Sequence, residues 1–159
     1  MFSGVIHGDL HDQNMLFNEI HDPQKSGYVM NTITDLAHMS RSYLVFDLAI
    51  VLSQIMRLDR GEHFLKTGEQ VLHGFREEVE LNDYELHLLK YIVMMRHAAL
   101  LVMENHSLSV EPRNAAYVTR HSATVWRQLV AMWRTSELDL DRAWGIAIRQ
   151  HLTLQQLRR

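Results

Sequence analysis

Near the start of the chain an aspartate and an asparagine stand five residues apart, in the run His7-Gly8-Asp9-Leu10-His11-Asp12-Gln13-Asn14. That spacing lets one polar loop present two oxygen ligands to the same cleft. The Asp9 carboxylate can take the proton of an attacking hydroxyl, and Asn14 can hold a magnesium ion on a nucleotide phosphate. A further aspartate, Asp35, lies about twenty residues on. Its hard anionic oxygens suit a Mg²⁺ that bridges two phosphates. His7 and His11 are four apart, which on a helix would put two metal ligands on one face. Gly8 and the flanking apolar residues indicate a loop instead, and no His-Glu-x-x-His pattern is present. Both histidines are therefore read as structural, with zinc, and a metal-dependent hydrolase using His7, His11 and Asp35, as a distant third reading.

The elements that must position these groups follow from patterning. Residues 15–18 and 28–34 have strand composition, and the segment between them is polar with Pro23 and Gly27. This predicts a β-hairpin with a long loop, whose second strand delivers Asp35 beside Asn14. Residues 43–56 are apolar almost all round and predict a buried helix, in which Asp47 needs donors about its carboxylate. Phe64, Gly68, Val71, Leu72, Phe75 and Val79 form a helical stripe over 61–79. Asn82 and Glu85 resemble a capping box that opens a helix running to about 104, followed by a connection over 105–113. Further helices are expected over 114–135 and 139–156. Met94, Met95, Met103, Trp126 and Trp133 are assigned to the core.

The loop His7-Gly8-Asp9-Leu10-His11-x-x-Asn14 resembles the catalytic loop of the aminoglycoside phosphotransferase and choline kinase-like superfamily. Thr34-Asp35-Leu36-Ala37-His38-Met39-Ser40 and Tyr43-Leu44-Val45-Phe46-Asp47-Leu48-Ala49-Ile50 resemble its hydroxylysine kinase branch, and the resemblance extends more weakly through the helical remainder. It implies Asp9 as catalytic base, Asn14 and Asp35 as magnesium and nucleotide ligands, and supporting roles for His7 and Asp47. For Asp47 that role is to accept hydrogen bonds from the loop backbone; an ion pair with an arginine is the equal alternative. Two positions depart from the family's metal motif: Ala37 replaces a glycine, and His38 replaces a frequent acidic residue. Arg96 and His97 fall on a helix that lines the substrate side in the family, and neither is assigned a substrate contact.

Composition bounds the rest. A chain of 159 residues with 47% hydrophobic and 22% charged residues can build a sizeable core. A net charge of -3 gives no electrostatic case for nucleic acid or an anionic membrane. The absence of cysteine excludes disulfides and thiolate metal sites and fits the cytoplasm. The apolar run 43–52 contains Asp47 and is too short to span a bilayer.

The expected fold is α+β and mainly helical, a protein-kinase-like C-terminal lobe with a short β-hairpin carrying the metal site and the N-terminal lobe absent. It is expected as one domain, with catalytic loop and hairpin at 5–35 and a helical body at 43–156. Only eight residues precede Asp9, and the only lysines are Lys25, Lys66 and Lys90, so no glycine-rich loop with a strand lysine fits ahead of it. The function implied is transfer of the γ-phosphate of ATP or GTP, with Mg²⁺, to a hydroxyl of a small amino acid or amine. A missing N-lobe or a partner is then expected over an open apolar face. The alternative is a non-catalytic helical pseudo-kinase or interaction module.

Overall fold

The computed structural model describes residues 1–21, 27–58 and 63–146. Four short strands come first: β1 (Ser3–Ile6), β2 (Met15–Glu19), β3 (Tyr28–Ile33) and β4 (Ser40–Tyr43). Helices follow: α1 (Leu44–Leu58), α2 (Phe64–Glu78), α3 (Asp83–Val110), α4 (Ala115–Val118), α5 (Ser122–Arg134) and α6 (Glu137–Ala143). The fold is α+β and mainly helical, as expected. The last expected helix is seen only as α6, because residues 147–159 lie outside the described part.

The strands form two antiparallel pairs. β2 and β3 make the expected hairpin, with Met15 opposite Ile33 and an irregularity between Leu16 and Phe17. β1 pairs with β4, Ile6 opposite Ser40, and this second pair has no counterpart in the sequence reading. It clamps both ends of the segment that holds Asp9, Asn14 and Asp35. The hairpin is unusually apolar for its exposure: Leu16, Phe17, Tyr28 and Val29 are all open to solvent.

The core lies among α1, α2, α3, α5 and α6. Leu48, Leu52 and Met56 of α1 meet Leu72 of α2, Leu89 and Val93 of α3, and Met132 of α5. Each such side chain contributes about 1.5–3 kcal/mol of burial. The capping box at the start of α3 is present in both directions, Asn82 Oδ1 accepting from Glu85 N–H and Glu85 Oε2 from Asn82 N–H. Glu85 is fully buried, and its Oε1 also accepts from Phe2 N–H at 2.7 Å, which ties β1 to α3.

Three expectations are corrected here. The helix opened by the capping box runs on to Val110, through most of the expected connection. The expected helix over 114–135 is broken, because the chain turns at Thr119–His121 and α5 starts only at Ser122. Met95, Met103, Trp126 and Trp133 are exposed rather than core residues, Trp133 at 75%. Helical spacing puts them on one face but does not decide whether another element covers it. With Tyr91 and Met94, the residues Met95, Trp126 and Trp133 line an apolar groove of about 530 Å³ between α3 and α5.

By length and composition α3 would also pass for a membrane-crossing helix. It carries buried Glu85, Lys90 and His97, however, and packs on α1 and α5. Lys90 Nζ donates to Thr135 O at 2.6 Å, and His97 Nε2 lies 2.8 Å from Gln128 Oε1. These are satisfied polar groups on the packed side of the helix, whose other side, with Met95, Val102 and Met103, is exposed.

Candidate functional site

The loop after β1 turns because Gly8 adopts φ +81°, a region that disfavours any side chain. A methyl built on Gly8 would stand 2.5 Å from the carbonyl oxygen of His38, so glycine is also needed for this close approach of two backbones. Asp47 projects from the first turn of α1 and fixes the loop from below. Its Oδ2 accepts from His7 N–H at 2.7 Å and its Oδ1 from Gly8 N–H at 2.9 Å. The backbone contact is thus the one formed, and Asp47 has no arginine partner among the described residues.

His7 is buried and acts as a bracket. Its Nδ1 accepts from Asp9 N–H at 3.3 Å, so the proton sits on Nε2, which donates to Thr34 O at 2.9 Å. One imidazole therefore joins the loop to the end of β3, with both nitrogens engaged and neither left for a metal. His11 Nδ1 receives Gln13 N–H at 3.2 Å, capping the 3₁₀ turn Asp12–Asn14. Its Nε2 lies 3.6 Å from Asp9 Oδ2. Among the described residues no group of three or more His, Asp or Glu could hold a metal, so the hydrolase site on His7, His11 and Asp35 is not formed.

Asn14 is buried at the end of the loop, and its amide is oriented by donation from Nδ2 to Asp9 O at 3.0 Å. Its backbone carbonyl accepts from Thr34 N–H at 2.9 Å. The residue after Thr34 is Asp35, so the hairpin brings Asn14 and Asp35 to the same end of the β2–β3 pair. Asp35 is exposed and takes a left-handed conformation, φ 58° and ψ 63°, that non-glycine residues seldom adopt and aspartate tolerates best. A carboxylate and an amide oxygen are the hard donors magnesium prefers, and Mg²⁺ usually completes its shell from phosphates and water. Asn14 and Asp35 supply one donor of each kind at this end of the hairpin, and among the described residues no group of three or more His, Asp or Glu surrounds them.

Asp9 itself is partly buried, and its Oδ1 receives Arg96 Nη2 from α3 at 2.5 Å. Arg96, to which the sequence reading assigned no contact, thus reaches Asp9. Eighty-seven residues separate the two. Val93, about one turn before Arg96, is buried, so helical spacing brings the arginine near the packed side of α3 but does not name the acid it meets.

No family model and no solved structure matches the chain. Curated proteins do. The hydroxylysine kinase of Xenopus laevis is 30% identical over 142 residues, covering 88% of this chain and 37% of that protein. The hydroxylysine kinase of Danio rerio is 30% identical over 140 residues, covering 88% and 38%, and that of Mus musculus is 28% identical over 141 residues, covering 88% and 37%. The chain spans little more than a third of the length of these relatives. Over most of its own length it is similar to one portion of the hydroxylysine kinases.

Proposed function

We propose that the chain carries the catalytic half of a small-molecule phosphotransferase, which moves the γ-phosphate of ATP or GTP to a hydroxyl of an amino acid or amine such as 5-hydroxylysine. The observation that carries this reading is the bracketed loop. Asp9 and Asn14 share one loop held by Asp47, and His7 joins that loop to the strand end bearing Asp35. The similarity to hydroxylysine kinases supports it. In this reading the fold is a kinase-like lobe comprising residues 1–159 and working in the cytoplasm.

Asp9 orients the acceptor hydroxyl and receives its proton. Arg96 is a positioning residue: by holding Oδ1 it leaves Oδ2, on the His11 side, to face the acceptor. Asn14 and Asp35 would hold Mg²⁺, whose charge offsets that of the transferred phosphoryl group when it is bound. Most of the rate enhancement then comes from positioning and electrostatics. The nucleotide also needs a cover over its phosphates. The exposed apolar face of the hairpin that carries Phe17, Tyr28 and Met30 is where a further lobe or partner would seat.

The test is titration of Mg²⁺-ATP and Mg²⁺-GTP into the chain with Asp35→Ala as control, followed by phosphotransfer to 5-hydroxylysine with a nucleotide-covering lobe supplied. Binding is expected to vanish in Asp35→Ala, and transfer to fall by about 10²-fold or more in Asp9→Ala. Equal transfer by Asp9→Ala would overturn the assignment. The second reading, a non-catalytic module, is favoured by the departures beside Asp35, where Ala37 and His38 replace the family's glycine and frequent acidic residue. Efficient transfer by the chain without any partner would remove it.

A further inference from the structure

We propose that a polar cavity beside the Asp9 loop binds the amino-acid end of the acceptor, its carboxylate on Arg57 and Arg120 and its ammonium on Glu104. This names the substrate class of the reaction proposed above and rests on it for the chemistry, though not for the binding. The cavity holds about 180 Å³ and lies between His11 of the loop, Gln54 and Arg57 of α1, Glu104 of α3, and Arg120 and His121 of the turn before α5.

The groups around it are poorly satisfied without an occupant. Gln54 is 95% buried by its 5% exposure, and its Oε1 has no hydrogen-bond partner among the described residues. Arg57 Nε is likewise buried and unpartnered. Among the described residues the Arg57 guanidinium, a fork of five donors, makes one ion-pair contact, Nη2 to Asp12 Oδ1 at 3.3 Å. Arg120 lies over the Tyr117 ring at 4.7 Å, which steadies its guanidinium and leaves its donors available.

The field of the cavity is positive. Burial pulls the Arg57 pKa down, and Asp12 offsets this only in part. Burial, then Arg57 and Arg120, also pushes His121 below its ordinary value. An anion between the two arginines would relieve both effects. Glu104 supplies the opposite charge at the same cavity, and its Oε2 accepts from Ser122 Oγ at 2.6 Å, which fixes the carboxylate. A zwitterion matches two cations and one anion set across a small space better than a simple amine or a phosphate does.

One residue of the cavity wall, His11, is also a neighbour of Asp9, its Nε2 3.6 Å from Asp9 Oδ2. An acceptor anchored by its α-carbon groups would extend its side chain past His11 toward Asp9. Its hydroxyl would be presented without any contact to the hairpin.

The experiment is isothermal titration of L-lysine, 5-hydroxylysine and lysine methyl ester into the full chain without nucleotide. L-Lysine has the amino-acid end and no hydroxyl, so its binding reports the cavity apart from any reaction. The two acids are expected to bind alike and the ester about tenfold or more weaker. Arg120 is exposed, so Arg120→Ala should fold, with its far-UV circular dichroism as the check. It should weaken the acids about tenfold, leave the ester unchanged, and recover partly in Arg120→Lys. Equal binding of acid and ester, an unaffected Arg120→Ala, or no binding at millimolar lysine would each overturn the proposal. Lysine binding by a chain that transfers no phosphate even when a nucleotide-covering lobe is supplied would sink the phosphotransferase reading and leave the cavity assignment standing.

Discussion

Asp47 shows how one side chain can set the shape of a loop it does not belong to. Its two oxygens take two consecutive backbone N–H groups, which in a loop have no ladder partner. Asp47→Ala removes both acceptors at once and leaves two partly buried donors unsatisfied. The expected cost is about 2–4 kcal/mol, read as a lower urea midpoint, with faster amide exchange at His7 and Gly8. Asp47→Asn keeps one acceptor oxygen and should fall between. Only half of this contact was readable from sequence: a carboxylate in an apolar helix must find donors, but the loop backbone came from the resemblance, with an arginine as the equal alternative. The Arg96–Asp9 pair was not readable at all. It joins residues on α3 and the first loop, and no local pattern specifies which way a mid-helix arginine reaches.

At the scale of elements, local chemistry was legible and pairing across the chain was not. The capping box at Asn82 and Glu85 and the hairpin around Gly27 are written within a few residues. β4 is Ser40-Arg41-Ser42-Tyr43, polar and short, and it is a strand only because β1 lies beside it. The exposed Trp126 and Trp133 follow the same rule, since periodicity assigns a face and not its cover. The contact between α2 and α6 makes a sharper test. A methyl added to Gly68 would lie 2.5 Å from Trp144 Nε1, whose N–H donates to Leu65 O at 3.1 Å. Trp144 is nearly fully buried and has little room to retreat. Gly68→Ala should therefore destabilise by about 1–3 kcal/mol despite its better helix propensity, seen as a lower Tm. Gly74→Ala on the same helix meets no atom within 4 Å and should raise Tm slightly.

For the whole molecule, stability should carry a pH signature from Asp141 at the end of α6. Burial raises its pKa above the usual 3.8, and the attraction of His87, 3.5 Å away, only partly opposes this. The folded state thus favours the protonated carboxyl. That contribution is fully present below the unfolded value of 3.8 and is lost as pH rises through the higher folded value. Asp141→Asn should be more stable than the parent chain at pH 7. The difference should close as the pH falls below the ordinary carboxylate range, as denaturant titrations at several pH values would show.

The close passage of Gly8 over the His38 carbonyl has a consequence for how this protein can vary. The separation between Asp9 and the strand end that bears Asp35 is set by main chain against main chain, with the His7 ring as the strut. Backbone atoms are the same for every residue type. The outward side chains of the hairpin are thus relieved of any duty in that alignment. They are free to be recut for whatever lies over them, and two descendants could exchange covers while keeping the same working geometry underneath.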